Sequence, residues 1–261
     1  MAFGKLYLIP VPLADETVAA VIPLEQSKLI NQIKHYVVEN EKTARRWLKY
    51  MGLQTPQSEL DILVFDKRSN KQQLASYFKA LKAGNDVGLM SEAGCPGVAD
   101  PGAELVAEAH RLGIEVVPLV GPSSILLALM GSGFNGQSFS FQGYLPIDRG
   151  ARAKRIKELE GLAERLNQTQ LFIETPFRNN QVVDEVLRSC HPQTLLCIAC
   201  NLTSAEEFIK TKTVAVVPKT SDNRPLSRNP GMKIKIEEIS HRNVKITKLL
   251  LFFSVLNTSQ L

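Results

Sequence analysis

What this sequence lacks narrows the field before any motif is read. It holds four cysteines and four histidines, and they do not group into a metal set. Cys197 and Cys200 read C-x-x-C, yet no second C-x-x-C and no histidine pair completes the four ligands that a zinc site uses. Both lie in the apolar run TLLCIAC, which has the character of a buried strand. With Cys95 and Cys190 they are therefore expected as reduced thiols of a cytoplasmic protein that binds no metal. No apolar stretch reaches the roughly 18 to 20 residues of a membrane span. The first residues, MAFGKLYLIPVPLAD, carry only a short apolar run, broken by Pro10, Pro12 and Asp15, so neither a signal peptide nor a membrane partner is expected. Three familiar signatures are also missing. No G-x-G-x-x-G follows the first strand, no G-x-x-x-x-G-K-[ST] occurs, and GPSSI is not G-x-S-x-G. That disfavours a dinucleotide-binding Rossmann domain, a P-loop kinase and a serine hydrolase.

What is present describes an ordinary globular chain of 261 residues, 44% hydrophobic and 22% charged, with a formal net charge of +5. Such an excess suits a polyanionic partner without requiring one. Short apolar runs alternate with longer amphipathic segments, the pattern of α/β architecture. Strands are expected at Leu6–Ile9, Tyr36–Val38, Ile62–Phe65, Asp86–Met90 and Glu115–Val117, then at Ser138–Gln142, Gln170–Glu174 and Thr194–Ala199. Helices are expected at Glu25–Ile33, Thr43–Met51, Lys71–Lys82, Ala103–Arg111, Lys154–Leu166 and Asn180–Arg188. The Gly-Pro of LVGPSS is a natural break, giving an N-terminal domain at 1–118 and a second at 119–217. From Pro218 the composition turns to Pro, Ser, Asn and Arg, so residues 218–261 read as an atypical tail. Its apolar run ITKLLLFFSVL is too short for a bilayer and is left open between a docking helix, a strand and a sticky tail.

Two loops carry the chemistry. Ser91–Gly102, SEAGCPGVADPG, follows the apolar strand DVGLM and precedes a helix. Its three glycines and two prolines let a rigid backbone come close to a ligand, at the strand end where open α/β sheets bind theirs. The alternative is a plain connection in which Asp100 caps the helix and Pro101 starts it. The second loop, VPLVGPSS, runs into ILLALMGSGF. Ser123 or Ser124 caps that helix, and the same hydroxyls and free amides suit a polar ligand.

In order, LMSEAGCPGVADPG, VVPLVGPSSILLALMGSG and FQGYLP resemble the signatures of the tetrapyrrole-methylase-like, class III S-adenosylmethionine-dependent methyltransferases. Within that superfamily the chain most resembles the branch that methylates a cytidine 2′-hydroxyl in small-subunit ribosomal RNA. The likeness extends to LFIETPFRN and VVENEKTARRWLKYMG and covers roughly Lys5 to Thr213. The resemblance implies two α/β domains with the cofactor in the cleft between them, and a homodimer. It implies S-adenosylmethionine (product S-adenosylhomocysteine) held by Pro12 and Leu13, by Gly94, Cys95 and Val98, and by Ser123, Ser124 and Ile125. Ile173 and Glu174 would approach from the second domain. Departures accompany the likeness: Val11-Pro12-Leu13-Ala14-Asp15 replaces a Thr-Pro-Ile-Gly-Asn-Leu loop, Phe65–Asn70 replaces a histidine-containing stretch, and Glu92 replaces an aspartate. From about Val216 the expected closing strand of the second domain is not recognisable.

A ribose hydroxyl is a poor nucleophile, so a nearby acceptor would help. Glu174, Glu39 and Glu41 are the carboxylate candidates, and Arg178 is a charge partner or phosphate ligand. Each glutamate reads equally well as a structural carboxylate. For RNA, three basic clusters stand out: Lys42, Arg45, Arg46 and Lys49; Lys67, Arg68 and Lys71; and Arg149, Arg152, Lys154, Arg155 and Lys157. Solvated helix faces explain any one of them as well. Two other functions fit: a methylase of a corrin or porphyrin precursor, and a catalytically idle protein that binds cofactor or RNA.

Overall fold

Strands flanked on both sides by helices must be apolar on both faces, and Leu6–Leu8, His35–Val38 and Val87–Met90 are. A computed structural model describes residues 2–15, 17–66, 69, 74–175 and 177–217, together with the backbone of 249–254. Lys67, Arg68, Lys71 and most of the tail thus lie outside the described residues. The chain divides into two compact units, Met1–Ser123 and Ser124–Leu261.

The first unit runs β1 (Leu6–Leu8), α1 (Val18–Val21), α2 (Leu24–Ile30), β2 (His35–Val38), α3 (Glu41–Tyr50), β3 (Asp61–Val64), α4 (Leu74–Tyr77), α5 (Lys79–Lys82), β4 (Val87–Met90), α6 (Gly102–Arg111) and β5 (Val116–Pro118). Its five strands form one parallel sheet in the order β3-β2-β4-β1-β5. Alternation along β2 feeds two cores. Tyr36 and Val38 join Ile9, Ile30, Trp47 and Leu48 on one side. Val37 joins Leu81, Leu105 and Ala109 on the other. All five strands fall within about a residue of their expected positions. Helix α3 starts at Glu41, ahead of expectation, because the Asn40 side chain accepts a hydrogen bond from the Thr43 amide at 3.1 Å and caps it. The single helix expected to end at Lys82 is instead two four-residue helices, α4 and α5, parted at the buried Phe78.

The second unit runs α7 (Ser124–Ser132), β6 (Phe139–Tyr144), α8 (Arg149–Leu166), β7 (Thr169–Glu174), α9 (Asn179–Ser189), β8 (Leu195–Cys200), β9 (Phe208–Thr213) and β10 (Leu249–Ser254). The sheet order is β6-β7-β10-β8-β9, with β6 and β7 parallel and the remaining pairs antiparallel. Ile156 and Leu159 of α8 and Val182, Val183 and Val186 of α9 pack with Phe172, Leu196 and Ile198 as its core. On α7, Gly131 lies so close to Ile209 that a Cβ there would sit 2.6 Å from it. One strand differs from expectation, and a second settles one of three stated alternatives. The segment FIKTKT is a strand, β9, although its lysines hide the apolar alternation. The run left open at the chain's end contributes a strand, β10, between β7 and β8. Among the described residues no helix is long and apolar enough to cross a membrane.

Candidate active site

In the first sheet β1 and β4 are neighbours whose connections leave in opposite directions. The chain passes from β1 across β4 to β2, and from β4 across β1 to β5. Ile22 and Ile30 of the first connection pack on one face, and Leu105 and Ala109 of the second on the other. A crevice therefore opens at the carboxyl ends of β1 and β4, the switch point at which such sheets bind ligands.

Three loops meet there. Val11 and Gly94 exchange both backbone hydrogen bonds at 3.0 Å, which ties the β1 loop to the β4 loop. Gly94 has φ +73°, and a Cβ on it would lie 3.3 Å from both Leu13 Cδ2 and Pro122 O, so glycine is required on both counts. Gly121 packs on Pro10, where a Cβ would come within 2.2 Å of the ring. The Cys95 thiol donates to Pro122 O at 3.4 Å. Burial, and secondarily the Asp100 carboxylate, push that thiol above its ordinary range. Asp100 Oδ1 accepts from the amides of Gly97 at 2.8 Å and Gly102 at 2.7 Å, closing the loop as α6 begins.

The rim of the crevice is cross-tied by Trp47, which the sequence did not mark as a site residue, together with Glu39, Arg46, Glu92 and Asp15. Trp47, the only tryptophan, donates its indole N–H to Glu92 O at 3.2 Å. The Glu92 amide donates to Glu39 Oε2 at 3.4 Å. Arg46 stacks over Trp47 at 4.8 Å and pairs with Asp15 at 3.2 Å. The chain's single tryptophan inside a basic helix was the available signal. A separate apolar cavity of about 410 Å³, lined by His35, Tyr36, Asp61 and Tyr77, lies at the amino ends of β2 and β3. That is the opposite end from the one at which parallel α/β sheets bind their ligands.

Of the cofactor residues expected in the first unit, Pro12 is buried, Leu13, Gly94's neighbour Cys95 and Ser123 are half-buried, and Val98 is exposed. Pro12, Leu13, Gly94 and Cys95 belong to the tied loops. In the second unit Ser124 and Ile125 open α7, and Ile173 is buried in β7. Glu174 is fully buried. Its Oε1 accepts from the Thr175 amide at 2.7 Å, and its Oε2 faces Arg178 Nη2 at 2.9 Å. Arg178 also donates to Leu145 O at 3.0 Å and Pro146 O at 3.1 Å.

The expected RNA-facing cations are unequal. Arg152 is 5% exposed and donates to Pro146 O and Ile147 O, so burial corrects its reading as a surface phosphate ligand. Arg155 reaches Gln142 and Glu158, and Arg45 is taken up by Glu41 and Gln57 O. On the outer faces of α3 and α8, Lys42, Lys49, Lys154 and Lys157 are exposed. Among the described residues no group of His, Cys, Asp and Glu could hold a metal. Three residues apart on β8, Cys197 and Cys200 point to opposite faces.

A model of the tetrapyrrole (corrin/porphyrin) methylases matches residues 5–217. The chain belongs to this family. Its tetrapyrrole-methylase relatives include ribosomal RNA small subunit methyltransferase I of Thermotoga maritima, 30% identical over 85% of this chain and 95% of that one. The Vibrio cholerae protein of the same name is 30% identical over 78% of this chain and 67% of its own length. Two solved methyltransferase structures share the fold. The methyltransferase CobJ superposes with a TM-score of 0.59 at 18% identity, covering 95% of this chain and 93% of its own. Uroporphyrin-III-C-methyltransferase from Thermus thermophilus gives 0.52 at 14% identity, with 97% and 92% covered. This tetrapyrrole methylase is accordingly a methyltransferase.

Proposed function

We propose that the protein methylates small-subunit ribosomal RNA, using S-adenosylmethionine as methyl donor and a ribose 2′-hydroxyl as acceptor. The observation that carries this reading is the crevice with its three interlocked loops, in a chain whose relatives over most of its length are named for that RNA. The residues suit the donor. Tight backbone at Gly94 and Gly121 allows close approach, Leu13 and the exposed Val98 offer apolar surface, and the loops present carbonyls rather than fixed cations. The bound donor would supply an electrophilic methyl group on sulfonium.

The protein's part is then positioning and exclusion of water. Pro12, Leu13, Gly94, Cys95, Val98, Ser123, Ser124, Ile125 and Ile173 hold the donor. Glu39, fixed by the Glu92 amide, is the acceptor we assign to the ribose hydroxyl. Glu174 is engaged on both oxygens, so its role is to hold Arg178 rather than to take a proton. Lys42, Lys49, Lys154 and Lys157 attract the RNA backbone. Free thiols suit a cytoplasmic protein, and a homodimer, read from the family likeness, is checked by sedimentation.

Calorimetric titration with S-adenosylmethionine and S-adenosylhomocysteine tests the donor. Micromolar binding, abolished by Gly94→Trp, is expected. Methyl transfer to 30S-derived RNA but not to a tetrapyrrole is the second expectation, and no binding by a folded sample would end the reading.

A further inference from the structure

Seven buried side-chain polar atoms have no hydrogen-bond partner among the described residues. Five of them belong to one cluster in the second unit: Arg152 Nε, Glu174 Oε2, Arg178 Nε and both amide atoms of Asn179. Glu174 Oε2 and the Arg178 guanidinium share an ion pair, which leaves Arg178 Nε itself, Arg152 Nε and both Asn179 amide atoms without a partner. Buried donors and acceptors are nearly always paired, so four orphans in one place ask for a missing partner. Arg152 sharpens the point. It is 5% exposed, its contacts are the carbonyls of Pro146 and Ile147, and no carboxylate lies within ion-pair distance among the described residues. A buried guanidinium so placed is an uncompensated charge.

The surrounding backbone points the same way. Helix α9 has eleven residues, starts at Asn179 and carries no side-chain cap, whereas α8 is capped by Asp148. First-turn amides without a cap are anion donors. Arg152 and Arg178 converge on one carbonyl, Pro146 O, at 3.4 and 3.1 Å. Two cations against the single Glu174 carboxylate, a helix N-terminus and an orphan amide together describe an anion hole with one positive charge in excess. Beside it stands Phe177, 94% exposed and directly preceding Arg178, with Ile147, 81% exposed, on the loop that the two arginines hold. An aromatic ring left bare in water next to an anion hole matches a nucleotide, which joins one flat base to one phosphate. A tetrapyrrole polycarboxylate spreads its charges around a macrocycle and would need cations on several sides.

We propose that this corner of the second unit binds one nucleotide of single-stranded RNA. Phe177 stacks on the base, while the α9 N-terminus, the Asn179 amide and Arg178 take the adjoining phosphate and Arg152 supplies charge from behind. The site rests on the RNA reading above and names where that RNA is gripped.

The test is fluorescence anisotropy with a labelled short single-stranded RNA, over a salt series, on the full chain and two variants. Phe177→Ala removes an exposed ring and is expected to weaken binding roughly tenfold while the salt slope stays the same. Asn179→Leu removes the orphan amide. It is expected to weaken binding while the melting temperature holds or rises, a combination that general damage to the fold would not produce. If the parent binds RNA and either variant binds as tightly, the site is wrong and the RNA substrate stands. If the parent binds no RNA, or binds uroporphyrin in a Phe177-dependent way instead, both the site and the RNA reading fall.

Discussion

Gly94 and Gly121 hold the same crevice together for different reasons, and substitution should separate them. At Gly121 an added methyl meets the Pro10 ring at 2.2 Å, so Gly121→Ala must push two loops apart, at a cost of roughly 1–3 kcal/mol. At Gly94 the neighbours stand at 3.3 Å and the strain is mainly that of φ +73°, worth about 1 kcal/mol. Denaturant melts should therefore rank Gly121→Ala below Gly94→Ala in stability, and equal midpoints would mean that Pro10 does not pack on Gly121. Gly94 was legible in the sequence because it stands in a Gly/Pro-rich loop directly after an apolar strand, whereas the contact of Gly121 with Pro10 joins loops more than a hundred residues apart. Arg152 was legible only in part. Charge clusters read as surface by default, although its i, i+4, i+7 spacing with Ile156 and Leu159 places it on the buried face of α8.

Among the elements, α3 and α8 offer clean tests. Asn40→Ala removes the α3 cap and should cost about 1 kcal/mol, seen as a lower unfolding midpoint for the first unit. Gly161 lies inside α8, with nothing within 4 Å of the position of an added Cβ. Gly161→Ala should therefore stabilise, by roughly 0.5–1 kcal/mol, and a lower midpoint would mean that α8 is not continuous there. The first sheet was nearly transparent in the sequence, since its strands are short apolar runs between amphipathic helices, with central β4 buried along its whole length and only the edge strands β3 and β5 left more open. The second was harder. In β9 the apolar positions give way to Lys210 and Lys212 at the sheet's edge, where lysine is tolerated and discourages further pairing. An isolated apolar run such as the one holding β10 has no period to tell strand from helix.

For the molecule as a whole, burial of weak acids sets an alkaline limit. Burial pushes Cys200 up to about 11 and raises Cys95, Cys190, Cys197 and Tyr36. Their neutral forms are favoured in the folded state. Their contribution is thus complete below about pH 7.5, a unit under the unfolded thiol value of about 8.5, and is lost as pH rises from there through the folded values. Urea midpoints should hold up to about pH 7.5 and fall steadily towards pH 11, and a flat profile would contradict the burial of β8.

The place of β10 reaches further still. The family match ends at residue 217, and β9 ends at Thr213, yet the strand between β7 and β8 begins only at Leu249. A chain made from its amino end can complete the first sheet long before that strand exists. The second must wait, with the facing edges of β7 and β8 both open to any passing strand. Ribosome-bound chains halted after Val217 should therefore show a protease-resistant first unit and a sensitive second. The interval before the last strand emerges is when this protein is most exposed to misassembly and has most to gain from a chaperone.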